Sequence, residues 1–154
     1  MSKQVLSIEQ MQHLKELGVD KSKASMVLLW KDDEGNEMDW DDVQDELSHP
    51  EPMEMFKELY DAETGNYDHS YRKYCGVFTL QDILDLLPNL IESQDEGNNY
   101  WLEFGTAMED EEWWYIRYMS VYGVKLNYEE HVHLIDAAYE MLCWVIDNGY
   151  LKVK

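Results

Sequence analysis

Between Asp32 and Glu63 the chain carries fourteen carboxylates against one lysine, Lys57, within a formal net charge of -21. Self-repulsion at that density opposes any compact state, so the chain folds only if apolar bulk outweighs it. It holds that bulk: 45% of its residues are hydrophobic and 13% aromatic, with six tryptophans, unlike the composition of disordered chains. At 154 residues it fits one domain, 1–154, in which roughly 70% of the unfolded surface is removed from water. Residues 31–74 form its acidic portion.

The same charge excludes partners. A surface with 33 acidic and 12 basic residues repels nucleic-acid phosphates and anionic membranes, so neither direct nucleic-acid binding nor membrane association is expected. Split at Cys75, the halves carry -10 and -11, so the charge is not a detachable tail. No apolar run approaches the ~20 residues that span a bilayer, and no leader pattern opens the chain. Cys75 and Cys143 form no metal-ligand or redox spacing. A reduced, cytoplasmic protein is the expectation.

Periodicity then places the elements. Ser7 followed by Gln10 is a capping box for a helix over Ser7–Leu17, with Ile8, Met11 and Leu14 on one face and Gly18 as its stop. The apolar run Ser25–Trp30 predicts a strand, returning through the turn at Asp33-Glu34-Gly35-Asn36 to Glu37–Trp40. Short helices are expected over Asp41–Leu47 and from Pro52, whose fixed φ suits a first helical turn. Asn66–Cys75 reads as a packed loop. In Phe78–Pro88, Thr79 caps a helix with Asp82 near its positive end, and Pro88 ends it. Leu90–Ser93, Tyr100–Thr106 and Trp113–Tyr122 predict a three-stranded antiparallel meander, with aromatics on both faces of the last strand. His131–Asn148 predicts the longest helix, stopped by Gly149. The fold class is α+β, an antiparallel sheet packed against helices.

Three segments, KELGVDKSKASM (Lys15–Met26), FTLQDILDLLP (Phe78–Pro88) and IDAAYEMLCWVIDNGY (Ile135–Tyr150), resemble a family of small acidic proteins encoded in prophages and mobile elements of gut anaerobes. They cover about a quarter of the chain, and Lys31–Tyr74 departs from the family pattern. The resemblance implies a genomic context and a fold, and no catalytic residue.

No motif specifies chemistry. An EF-hand loop starting at Asp32 would place Glu37 where the sharp turn wants glycine, and one starting at Asp61 places Gly65 a residue early. His131 and His133 beside Asp136 share a face for zinc only if extended, with no third ligand at a fixed spacing. Cys143 reads as core and Cys75 as partly exposed, neither with an activating partner. Glu103 and Arg117 on neighbouring strands suit a cross-strand ion pair. With no phosphate loop or nucleophile motif, no cofactor is expected, and no catalytic or metal residue is assigned.

The remaining expectation is recognition. Asp32, Asp33, Glu34, Glu37, Asp39, Asp41 and Asp42, with Trp101, Trp113 and Trp114, are the expected interaction surface for another protein, one that is itself basic or handles nucleic acid. In its sharper form the carboxylates mimic DNA phosphates. The competing expectation is a small-ligand protein or enzyme with a pocket among Tyr100, Phe104, Trp114 and Tyr118.

Overall fold

The computed structural model describes residues 3–31, 50–52, 71–93, 97–107 and 112–153. Helix α1 (Ile8–Glu16) opens with the capping box: Gln10 N–H donates to Ser7 Oγ at 3.1 Å, and Ser7 N–H to Gln10 Oε1 at 3.0 Å. It ends in a Schellman motif, with Gly18 left-handed at φ 94°, Val19 N–H reaching Leu14 O at 2.9 Å and Gly18 N–H reaching Lys15 O at 3.0 Å. After a 3-10 turn at Lys21–Lys23, strand β1 (Met26–Lys31) lies between β2 (Glu51–Pro52) and β3 (Tyr71–Val77), antiparallel to both.

Three expectations change here. Pro52 itself is in strand, pairing with Met26 at the sheet edge, where a residue without an N–H costs no ladder bond, and the rest of the helix expected from it lies outside the described residues. The supposed loop through Cys75 is strand from Tyr71 onward, because backbone pairing with β1 holds a segment that lacks period-two alternation. Cys75 is buried, not partly exposed. The turn at Asp33–Asn36, the return Glu37–Trp40 and the helix Asp41–Leu47 lie outside the described residues.

Helix α2 (Leu80–Leu86) carries a second capping box, between Thr79 and Asp82. Asp82 Oδ2 accepts from Thr79 N–H at 2.9 Å and also from the Ser25 backbone N–H and hydroxyl at 3.1 and 2.7 Å, tying the helix start to the entry of β1.

The second sheet is a meander of four strands, not three: β4 (Leu90–Glu92), β5 (Asn99–Thr106), β6 (Trp114–Met119) and β7 (Lys125–His131), in that order. Strand β7 has the sequence KLNYEEH, without an apolar alternation to announce it. The last helix, α3 (Leu134–Asp147), therefore starts three residues later than periodicity suggests, with His133 as its N-cap. It ends as α1 does: Gly149 at φ 77°, Tyr150 N–H on Val145 O at 2.9 Å, and Gly149 N–H on Ile146 O at 3.1 Å.

Helix α3 packs on β6 and β7, and buried side chains of α1, β3, α2 and the sheet join it in one cluster. Tyr118, Phe78, Met11, Ile116, Met141 and Leu142 are among its fully buried members. Tyr118 keeps its hydroxyl satisfied on Pro88 O at 2.7 Å, and burial pushes its pKa upward. The chain is thus α+β, with antiparallel sheets against helices. Among the described residues no helix is long and apolar enough to cross a membrane.

Candidate functional site

Alternation along β6 divides its sheet into two faces. Ile116 and Tyr118 enter the core, while Tyr115, Arg117 and Met119 face outward. On that outer face the groups pair largely with one another, Arg117 Nε being a buried donor without a partner. Arg117 opposes Glu103 and donates to its carboxylate at 2.6 Å, as the sequence suggested. The rings of Tyr115 and Tyr128 stack at 5.8 Å, with Arg117 4.9 Å above the first and Lys125 4.9 Å above the second. Gly105 makes room: a Cβ there would lie 3.2 Å from the Tyr115 ring. Tyr128 donates to Glu130 at 2.7 Å, and that bond, with a smaller effect of burial, pushes its pKa up to about 12. The two tyrosines of this face stack on each other and on its cations, and Trp101, at the end of the ladder, is the exposed ring that remains there.

The three expected tryptophans are not gathered. Trp101, half exposed, pairs with Met119 at one end of the β5–β6 ladder; Trp114 pairs with Thr106 at the other end and on the opposite face. Trp113 is half-buried, its ring 6.2 Å from that of His131. The acidic members of the expected surface, from Asp32 to Asp42, lie outside the described residues. Of the aromatics expected around a pocket, Tyr100 and Tyr118 are consumed by the core, and Phe104 is half exposed.

What the sequence reading missed is the hairpin after β6. The expected strand through Tyr122 stops at Met119, and Ser120 to Val124 make a turn instead. Ser120 N–H donates to Val124 O at 2.9 Å, Gly123 N–H to Ser120 O at 3.1 Å, and Val124 N–H to the Ser120 hydroxyl at 3.1 Å. Gly123 is left-handed at φ 80°, as a three-residue hairpin loop with a glycine bulge requires. The bonds fix the loop and leave Val121 79% and Tyr122 82% exposed, with Val124 also exposed. Turn tips are ordinarily Asn, Asp, Ser, Gly or Pro. The spacing Ser120-x-x-Gly123 was the available signal.

At the opposite end of β7, α1 and α3 enclose a cleft of about 700 Å³, and near its floor lies a buried polar network. Asp136 Oδ1 accepts from Lys3 Nζ at 2.6 Å and Gln10 Nε2 at 2.8 Å, joining the first residues and α1 to α3. Burial pushes the Asp136 pKa up, but the bonds from Lys3 and Gln10 outweigh it and hold the carboxyl below its ordinary range. Along the wall, His13 Nδ1 pairs with the Tyr139 hydroxyl at 2.6 Å, and Cys143 Sγ lies 3.7 Å from the same nitrogen. Burial raises the Cys143 thiol to about 11 against a hydrogen bond to Tyr139 that lowers it. Cys143 is therefore a protonated core thiol at neutral pH, not an activated nucleophile.

His131 and His133 do come together, rings stacked at 6.1 Å, but the His133 backbone N–H donates to His131 Nδ1 at 3.1 Å, which leaves only Nε2 of that ring for a ligand. Among the described residues no group of three or more His, Cys, Asp or Glu gathers as a metal site. A smaller cleft of about 340 Å³ lies between Gly18–Asp20, Leu86 and Leu151–Val153. Neither cleft has a strand aromatic in its wall. Comparison with protein-family models, curated proteins and solved structures finds no match to this chain.

Proposed function

We propose that this chain is a non-enzymatic accessory protein that binds another protein, one with a basic surface, in the prophage-like setting that the resemblance implies. The carrying observation is the hairpin tip: two large apolar residues are held in solvent by a hydrogen-bonded turn whose chemistry does not need them. Burying each against a partner stabilises a complex by about 1.5–3 kcal/mol, and a rigid loop loses little entropy on docking. The charge of -21 steers a basic partner toward the chain and disfavours acidic ones. In the DNA-mimic form of this reading, the carboxylates of Asp32–Glu63 take the place of phosphates in a cationic groove. A cytoplasmic setting fits the reduced cysteines.

The test is a photo-crosslinking residue placed at Tyr122 and, as a control, at exposed Gln81. A basic protein captured from position 122 and not from 81, whose purified complex weakens more than tenfold with Tyr122→Ser and weakens again as salt rises, supports the reading. Equal capture at both positions, or affinity indifferent to salt, overturns it. The competing reading, an enzyme or small-ligand protein built on the strand aromatics, has less support, since Tyr100 and Tyr118 pack into the core.

A further inference from the structure

Strand β7 is an open edge of the four-stranded sheet. It pairs with β6 on one side only, so every second residue of Lys125–His131 turns its N–H and C=O outward. Among the described residues, no backbone bond of this strand goes anywhere but β6. Edges are ordinarily blunted by shortness, proline or cover. At the far side of the same sheet β4 has three residues, and in the other sheet β2 has two and ends in Pro52. Strand β3 also stands at an edge, but α1 and the 3-10 turn pack against it. Strand β7 has seven residues and no proline, and α3 lies against its face, where Asn127 Nδ2 meets Met141 Sδ at 3.5 Å.

What protects this edge is charge, and charge is selective. Glu129 accepts from Asn127 at 3.1 Å and Glu130 from Tyr128 at 2.7 Å, both neutral donors, and among the described residues neither glutamate is in an ion pair. Opposite charges set across two strands stabilise the pair, and like charges destabilise it. A second copy of the chain brings its own net charge of -21 to the contact, whereas a strand bearing lysine or arginine is attracted. Apolar groups stand at both ends of the edge: Val124 just before β7 and Val132 just after it are exposed, with Tyr122 beyond Val124. Seven extended residues reach about 23 Å, enough to run from one valine to the other. The hairpin tip and the open edge are thus one continuous surface.

We propose that β7 takes up an extended segment of a basic partner protein as a fifth strand of the sheet. The segment's backbone bonds the outward groups of Lys125–His131, its lysines or arginines face Glu129 and Glu130, and an apolar residue at its end covers Val124. This rests on the reading of the chain as a binder of basic proteins and names how the partner docks.

The probe is a capped heptapeptide of alternating lysine and valine, titrated into the whole chain beside the same peptide with every backbone amide methylated, which keeps its side chains and charge and loses its donors. The parent peptide should slow deuterium exchange at every second amide of Lys125–His131 at least tenfold, and the methylated one should bind more than tenfold more weakly. Glu129→Gln/Glu130→Gln should weaken the parent peptide about fivefold, against no more than about twofold for Asp85→Asn/Glu92→Gln at exposed positions elsewhere. Equal binding of the two peptides, or binding that leaves exchange in β7 unchanged, overturns strand addition and leaves the broader reading standing, since attraction would then belong to charge alone. Binding by neither peptide overturns strand addition as well; the broader reading falls with it only if position 122 captures no basic protein. Exchange in β7 that slows as the chain's own concentration rises, with a dimer in sedimentation, would assign the edge to a second copy and overturn the basic partner.

Discussion

The two ends of β7 solve opposite problems. Beyond Lys125 the chain holds Val121 and Tyr122 out in water, while beyond His131 it brings Asp136 and its partners inside. The ends are about 20 Å apart along one strand. At the first end, backbone and hydroxyl bonds do the holding and the displayed side chains contribute little to the fold. At the second, side chains from positions more than a hundred residues apart are the structure. Exposed apolar groups that the fold does not need are best explained by something outside the molecule, whereas polar groups the fold does need are poor evidence of function by themselves.

That contrast is sharpest in mutational response. Asp136→Ala strands Lys3 and Gln10 and should cost about 2–3 kcal/mol in urea denaturation; a loss as small as that of a surface variant would mean the network is not structural. Because the Asp136 pKa is lowered in the folded state, its contribution is complete above the ordinary carboxylate value of 3.8 and disappears as pH falls below it. Asp136→Asn should therefore flatten part of the acid limb of the stability profile. An unchanged limb would assign acid sensitivity to the other carboxylates.

Next comes Gly149→Ala. Nothing lies within 4 Å of the added Cβ, so the cost is conformational, about 1–2 kcal/mol for a left-handed alanine, read as a lower melting temperature. Glu103→Gln removes an ion pair whose carboxylate is 45% exposed and should cost less than about 1 kcal/mol, with that loss shrinking in high salt. Smallest of all, Tyr122→Ser should leave stability within about 0.5 kcal/mol while reducing partner affinity. If it instead destabilised the fold as Asp136→Ala does, the tip would be part of the core and the comparison would fail.

What could be read in advance follows the reach of each interaction. The Ser7–Gln10 capping box, the Thr79 cap and both glycine stops were legible because their partners lie within six residues of each other, while the return bond from Asp82 that completes the second box was read only as a favourable charge. The Glu103–Arg117 pair was legible once two adjacent strands were placed. Strand β7 was not, since Asn127, Glu129 and Glu130 hide an element held by backbone pairing to β6. Lys3 and Asp136 are 133 positions apart, and no periodicity connects them. The hairpin tip fell between these cases: its turn spacing was present, but Val121 and Tyr122 look like two more residues of a strand.

Asp82 has a consequence for how the molecule opens. One carboxylate oxygen serves both the N-cap of α2 and the residue leading into β1, so a single side chain steadies two separate places. A change of Asp82 should accordingly accelerate solvent deuterium exchange at the amides of both Ser25 and Thr79.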